Sequence, residues 1–197
     1  MAGENGPNRR GSARRSTDRN TRYATHVPVL RECVSALNAS EERPIHVVEH
    51  GMGLGSTPFF HSLRHVKGIT SFERELEWMW CADCASGSKQ DHTMILLKDD
   101  NAVEQAKQGI SDPQRTVALV DGFASQRVKV LEVWMQLGVE FIVEHDADVL
   151  KLGEVKVRRR LAQANGYVAL QYTDRDPESV LFARGVMPPV TGSYQTF

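Results

Sequence analysis

The feature of this sequence that most limits its fold is a repeated alternation of short apolar runs with helical segments. An amphipathic stretch at residues 26–37 comes first, followed by strand-like runs at 45–49, 68–72, 93–97, 116–120, 140–143, 167–172 and 179–183. Segments with helical periodicity lie between most of these runs, at 58–65, 76–85, 102–109, 126–137 and 150–164. Strands that alternate with helices form βαβ units, so the pattern predicts a parallel sheet covered on both faces.

The last two strand-like runs differ from the others because no helical segment separates them. The stretch between them, Thr-Asp-Arg-Asp-Pro at 173–177, is short and rich in turn-forming residues, which favours an antiparallel hairpin. We therefore expect an α/β fold with five parallel strands that ends in an antiparallel pair. The tail at 185–197 is expected to be irregular.

The composition favours one soluble domain, which we place at residues 23–184. Of the 197 residues, 41% are hydrophobic and 25% are charged, which is close to the average for globular proteins. No apolar run approaches the roughly 20 residues that span a bilayer, so no membrane partner is expected. The three cysteines do not suggest a secreted disulfide framework, and this favours a cytoplasmic location. A homodimer is compatible with the sequence.

Residues 1–22 contain six arginines and almost no apolar side chains, which predicts a disordered basic arm. The arginines lie within 9–22, where they would suit contact with nucleic acid or with an acidic partner. A solvated tail without a partner is the alternative. Because the net charge of the whole chain is only -1, any such role must be local to this arm.

A glycine-rich motif follows the first predicted strand, in the sequence VVEHGMGLGSTP. Glu49 ends the strand, and Gly51, Gly53 and Gly55 follow at alternate positions. Glycines allow a sharp turn there and let the backbone approach a ligand without an intervening Cβ, although a purely structural turn is the alternative. Glu73 ends the second strand, where a carboxylate can accept hydrogen bonds from both hydroxyls of a ribose.

The spacing of the glycines separates two cofactors that share this ribose contact. Dinucleotide-binding proteins use G-x-G-x-x-G, whereas this chain has G-x-G-x-G. The acidic Glu49 also suits a cofactor with an ammonium group better than one with a pyrophosphate. The motif resembles the E/D-x-G-x-G-x-G of class I S-adenosylmethionine-dependent methyltransferases. The resemblance covers about residues 44–184 and implies a Rossmann-like, doubly wound, seven-stranded sheet of order 3-2-1-4-5-7-6.

The same resemblance implies which residues hold S-adenosylmethionine. They are Glu49, Gly51, Gly53, Gly55, Ser56, Glu73, Asp99 and Asp100. The glycine loop would lie under the methionine part and Glu73 would bind the ribose, while Glu49 would act near the amino group through water or backbone. One of the two aspartates after the third strand would bind the adenine amino group, unless they belong to a solvated loop.

Candidate residues for the chemistry end the fourth and fifth strands, because ligands of open α/β sheets bind beyond the carboxyl ends of the strands. Asp121 in ALVDGFASQR and His145-Asp146 in FIVEHDAD resemble the acceptor site of small-molecule O-methyltransferases. His145 would act as general base, or Asp121 and Asp146 would bind Mg²⁺, which lowers the pKa of the acceptor hydroxyl. Helix capping is the alternative role for the acidic residues. If all three prove dispensable, Tyr23 and His26 are the remaining candidates.

The expected function is S-adenosylmethionine-dependent methyl transfer to a small-molecule or macromolecular acceptor, with oxygen ahead of nitrogen as the accepting atom. Base methylation in DNA is disfavoured, because the chain reads DGFA where such enzymes usually have Asn or Asp before Pro-Pro and an aromatic residue. Two other interpretations stay open: an NAD-type Rossmann enzyme, and a non-catalytic nucleotide-binding module that engages partners through its basic arm.

Overall fold

The computed structural model describes residues 25–87, 91–97, 102–146, 150–174, 178–189 and 191–197. Its helices are α1 (Val27–Ser40), α2 (Ser56–Ser62), α3 (Leu76–Ser86), α4 (Ala102–Ala106), α5 (Ala124–Leu137) and α6 (Leu152–Ala164). Its strands are β1 (Ile45–His50), β2 (Val66–Glu73), β3 (His92–Leu96), β4 (Thr116–Val120), β5 (Phe141–His145), β6 (Val168–Tyr172), β7 (Ser179–Ala183) and β8 (Tyr194–Thr196). Among these helices, none has the length and apolar character needed to cross a bilayer.

Within the described residues the strands form one sheet in the order β3-β2-β1-β4-β5-β7-β6-β8. The first five strands along the chain run parallel, with β1 between β2 and β4. The strand β7 pairs antiparallel with both β5 and β6. The doubly wound sheet and the terminal hairpin expected from the sequence are therefore confirmed, with one additional strand at the edge.

The additional strand, β8, corrects the expectation of an irregular tail at 185–197. It pairs antiparallel with β6, and Leu170 lies opposite Thr196 in the register. Phe197, directly after it, is buried in the core. Three residues are too few to show a periodicity in the sequence. This strand forms because it pairs with the edge of β6, and that edge exists only once the sheet has assembled.

Most element boundaries lie within three residues of the sequence prediction, and two of the differences are informative. The helix expected at 58–65 is α2, which begins two positions earlier and ends at Ser62. The strand expected at 140–143 is β5, which continues to His145. Charged residues usually mark the end of a buried strand, but Glu144 and His145 both have buried partners and stay within it.

The sheet has an apolar core on each face. On one face α1 packs Val29, Leu30 and Leu37 against the central strands. On the other face α5 packs around the fully buried Trp134, whose indole nitrogen donates to the carbonyl oxygen of Ala106 at 2.9 Å. Since both faces are covered, β4 and β5 are buried along their whole length, in keeping with the apolar runs at 117–120 and 141–143.

The helix α1 is held in place by residues from distant parts of the chain. The buried Arg115 donates to the carbonyl oxygen of Leu37 at 2.6 Å and to that of Glu41 at 3.0 Å. A cation at this position suits the negative end of the helix dipole. Near the middle of α1, the carboxylate of Glu32 accepts a hydrogen bond of 2.5 Å from the hydroxyl of Tyr194 in β8.

A buried ion pair joins α6 to β5. The guanidinium of Arg158 donates through Nε and Nη2 to the two carboxylate oxygens of Glu144, both at 2.6 Å. The exposed fractions of the two side chains are 1% and 0%. Such a pair offsets the cost of burying two charges only while both members are present.

We expect Arg158→Met to lower the free energy of unfolding by about 3–5 kcal/mol, because it leaves the Glu144 carboxylate buried without its partner. Urea denaturation measures the change. The exposed Arg160, two positions along the same helix, provides the control variant Arg160→Met, for which we expect almost no effect. A loss below about 1 kcal/mol for Arg158→Met would contradict the assignment.

Candidate functional site

The carboxyl ends of β1 and β4 meet through two glycines. Gly51 has a φ of +92°, which favours glycine, and a Cβ on it would lie 2.5 Å from the backbone nitrogen of Gly122. A Cβ on Gly122 would in turn lie 2.6 Å from the ring of His50. The backbone nitrogen of Asp121 also donates to the carbonyl oxygen of His50 at 2.8 Å. The glycine loop after β1 is thus adjacent to the residues that end β4.

The glycine loop is held from below by Glu49, whose exposed fraction is 0%. Its carboxylate accepts hydrogen bonds from the hydroxyls of Thr57, at 3.1 Å, and Ser71, at 2.7 Å. Thr57 also accepts a hydrogen bond of 3.2 Å from the backbone nitrogen of Gly53. Glu49 therefore shapes the loop through Thr57, while its expected role near the amino group of the cofactor stays a prediction.

The environment of Glu49 is unusual for a carboxylate. Burial raises its pKa to about 7, although the hydroxyls of Ser71 and Thr57 favour the charged form. Among the described residues Glu49 has no ion pair, in contrast to Glu144. Near neutral pH both the protonated and the charged form of this carboxyl group are consequently populated.

Glu73 connects the end of β2 to the same loop. One carboxylate oxygen accepts a hydrogen bond of 3.0 Å from the backbone nitrogen of Met52. The other accepts bonds from the backbone nitrogens of Arg74, at 2.7 Å, and Glu75, at 3.0 Å. The carbonyl oxygen of Met52 accepts a further bond of 2.5 Å from Trp78. A carboxylate has about four lone-pair sites, so these bonds leave room for a ribose hydroxyl. The other predicted cofactor residues after β3, Asp99 and Asp100, lie outside the described residues.

The three residues predicted for the acceptor end lie together where β4 and β5 end. His145 Nδ1 is 3.0 Å from Asp121 Oδ1 and 3.5 Å from Asp146 Oδ1. Asp146 has a φ of 56°, in the left-handed region that side chains rarely adopt. Backbone outliers of this kind concentrate at functional sites.

Arg127, a residue that the sequence analysis did not select, binds these strand ends together. It donates through Nε to the carbonyl oxygen of Gly122 at 2.7 Å and through Nη1 to that of His145 at 2.8 Å. Its Nη2 lies 3.5 Å from Asp121 Oδ1 and 3.4 Å from Asp146 Oδ2. Because this cation contacts both carboxylates, the arrangement gives no support to the predicted Mg²⁺ between them. The sequence feature that could have indicated Arg127 is its position in DGFASQR, six residues after Asp121.

Residues from the start of α1 complete the site. The hydroxyl of Thr25 is hydrogen-bonded to His145 Nε2 at 2.8 Å. The ring of His26 lies edge-on to that of His145, with 4.4 Å between the ring centroids. His26 is 1% exposed, and neither of its ring nitrogens has a hydrogen-bond partner among the described residues. The sequence offered His26 only as a fallback, because nothing local connects it to a residue in β5.

The charges of the site follow from these contacts. Burial alone would lower the pKa of His145, but the hydrogen bond and charge of Asp121 outweigh it and raise that pKa. Burial would likewise raise the pKa of Asp121, yet His145 holds it below its usual value. Burial, reinforced by the charge on His145, lowers the pKa of His26 to about 3. Asp121 and His145 therefore each favour the charged form of the other, beside the neutral imidazole of His26.

No protein-family model matches the sequence, and neither does any curated protein. Solved structures are similar to it, however. A putative caffeoyl-CoA O-methyltransferase from Staphylococcus aureus is 15% identical over 81% of this chain and 82% of that chain, with a TM-score of 0.57. The fibrillarin pre-rRNA processing protein of Methanococcus jannaschii is 12% identical over 73% and 67%, with a TM-score of 0.52. The N-methyltransferase NodS from Bradyrhizobium japonicum, in complex with S-adenosyl-L-homocysteine, is 14% identical over 82% and 87%, with a TM-score of 0.50.

The chain has the fold of the class I S-adenosylmethionine-dependent methyltransferases. The resemblance drawn from the glycine motif is thereby confirmed for the fold. Sequence identities of 12–15% show a shared fold and no more. The activity of this domain depends on the residues of its own site.

The buried Glu49 predicts an unusual dependence of stability on pH. Its pKa rises from 4.5 to about 7 on folding, so the folded chain binds more protons than the unfolded chain between these values, and stability falls as pH rises through them. Glu49→Gln lacks this titration and keeps an oxygen for the hydroxyls of Ser71 and Thr57. Relative to the parent, we expect Glu49→Gln to gain up to about 3 kcal/mol between pH 5 and pH 8.

Urea denaturation at both pH values measures this gain. The exposed Glu42 provides the control variant Glu42→Gln, which makes the same chemical change outside the core. If the difference between Glu49→Gln and the parent is the same at both values, Glu49 titrates as an ordinary carboxylate and the interpretation is wrong.

Proposed function

We propose that this chain is an S-adenosylmethionine-dependent methyltransferase that acts on an oxygen in preference to a nitrogen. The observation that carries the proposal is the glycine loop, which two buried carboxylates hold at the carboxyl end of β1. The proposal is also supported by the similar fold of solved methyltransferases, one of which was solved in complex with S-adenosyl-L-homocysteine.

The residues around the loop suit this cofactor. Gly51 can adopt its positive φ without strain, and Glu73 keeps unused lone pairs for a ribose hydroxyl. Glu49 and Thr57 fix the backbone of Gly53, so the cradle is formed before a ligand arrives. When bound, S-adenosylmethionine would supply a methyl group on a sulfonium, which an oxygen nucleophile can accept.

The acceptor end of the proposed site lies beside this loop, because Gly51 and Gly122 are in contact. A hydroxyl acceptor has to lose its proton for methyl transfer. The neutral form of His145, whose Nδ1 is held by Asp121, can accept this proton, or a bound cation can lower the pKa of the acceptor hydroxyl. Arg127 fixes the strand ends that carry both residues. The identity of the acceptor, the role of the basic arm at 9–22 and the cytoplasmic location stay predictions.

We expect the full chain to bind S-adenosyl-L-homocysteine and Gly53→Val to weaken that binding by at least about tenfold. A Cβ on Gly53 would lie 2.8 Å from Ser56 Oγ, so a branched side chain would distort the loop. Isothermal titration calorimetry measures the affinity, and circular dichroism checks folding. Gly153→Val is the matched control, since a Cβ on Gly153 meets no atom within 4 Å. Equal affinity of the parent and a folded Gly53→Val variant would place the cofactor elsewhere.

Cofactor binding and turnover should separate at the other end of the site. We expect alanine at His145, Asp121 or Asp146 to leave the affinity for S-adenosyl-L-homocysteine nearly unchanged and to lower turnover by about 100-fold or more. Formation of S-adenosyl-L-homocysteine from S-adenosylmethionine, with a panel of hydroxyl and amine acceptors, gives the rate. Full activity in all three variants would remove these residues from the reaction.

A further inference from the structure

We infer that His26, Asp121 and His145 form a binding site for a divalent first-row transition-metal ion of the Zn²⁺ type. Each residue offers one ligand atom, and these atoms all lie within 4.8 Å of one another. The three residues come from the start of α1, the residue after β4 and the last residue of β5. The site is therefore created by the fold, and its existence does not depend on methyl transfer.

The strongest observation for the ion is the state of His26. This imidazole is almost completely buried, yet both of its ring nitrogens lack a partner among the described residues. Burying a polar group without a hydrogen bond is unfavourable, and native proteins satisfy nearly all such groups. A metal ion between His26 and its two neighbours would supply the missing partner.

The second observation is the way in which His145 is oriented. Histidines that bind metal usually have their other ring nitrogen held by a hydrogen bond, which fixes the ring. His145 meets this condition, since its Nδ1 faces Asp121 while the hydroxyl of Thr25 holds its Nε2 at 2.8 Å. Ligand atoms around a tetrahedral Zn²⁺ are about 3.3 Å apart, given metal–ligand distances near 2 Å. The three ligand atoms lie within 4.8 Å of one another, so ion binding would draw them closer together.

The donor atoms decide which ion fits. Two imidazoles and one carboxylate suit Zn²⁺, Fe²⁺, Ni²⁺ or Cu²⁺, whereas Mg²⁺ prefers oxygen ligands alone. Arg127 Nη2 lies 3.5 Å from Asp121 Oδ1 and 3.4 Å from Asp146 Oδ2, so Asp121 would share its negative charge between Arg127 and the proposed ion. Three protein ligands leave a coordination position open, as in sites that take a substrate or water.

The test is metal binding by the full chain, without an affinity tag and stripped of metal beforehand. We expect calorimetric titration with Zn²⁺ alone to show a site that is absent in a titration with Mg²⁺ alone. Co²⁺ should bind at the same site and give visible absorption bands. In His26→Phe we expect the affinity for Zn²⁺ to fall by at least about tenfold, because the phenyl ring fills the space without a donor atom.

Two controls separate the loss of a metal ligand from damage to the fold and from zinc binding at another histidine pair. Without metal, His26→Phe should melt at the same temperature as the parent or higher, since it removes two unsatisfied nitrogens. His61→Ala is the matched control, because His61 Nε2 and His92 Nδ1, 2.9 Å apart, form another histidine pair among the described residues. We expect His61→Ala to bind Zn²⁺ as the parent does.

Failure of the parent to bind Zn²⁺ would overturn the proposal. Unchanged Zn²⁺ affinity in His26→Phe would also overturn it. The same holds if Zn²⁺ binding is lost in His61→Ala but kept in His26→Phe. None of these results bears on S-adenosyl-L-homocysteine binding, so the metal site and the proposed methyl transfer can fail separately.

Discussion

The contact between Gly51 and Gly122 is the constraint on which the arrangement of the site depends. Because neither residue has a Cβ, the backbone of the loop after β1 can contact the backbone of the loop after β4. A Cβ on either residue would prevent this close approach. The parallel register of β1 and β4 brings their carboxyl ends to the same edge, and this glycine pair closes the remaining distance. The loop proposed to hold a cofactor and the residues proposed to meet an acceptor become neighbours as a result.

The buried acidic groups around this contact are stabilised in different ways. Glu144 has a guanidinium on both oxygens, and Asp121 has His145 and Arg127. Glu49 receives hydrogen bonds from hydroxyls but has no ion pair among the described residues, which is why burial raises its pKa. The fold thus gives two carboxylates a cationic partner and leaves the one beneath the glycine loop with hydroxyl partners and a pKa of about 7.

The sequence predicted most of the sheet for two reasons. Most of the helices and strands are long enough for the spacing of their apolar residues to be recognised, and the glycines after β1 mark a sharp turn. It predicted that Asp121, His145 and Asp146 would meet, since parallel strands bring their carboxyl ends to one edge. It missed Arg127 as a member of the site and did not connect His26 with β5. The side chain of Arg127 reaches its carbonyl partners across two strand ends, and His26 reaches His145 from another helix. Such contacts leave no pattern in a local stretch of sequence.

The attachment of α1 has a consequence for the order of folding. Its carbonyl at Leu37 is bound by Arg115, 78 positions away, and its Glu32 by Tyr194, 162 positions away. Contacts between residues so distant in sequence form slowly, because a long chain segment has to be ordered first. The contacts that hold α1 therefore need the distant segments that carry Arg115 and Tyr194 to be in place. An ion bound by His26, Asp121 and His145 would likewise need residues that only the folded sheet brings together, unlike the zinc ions that organise small unfolded domains.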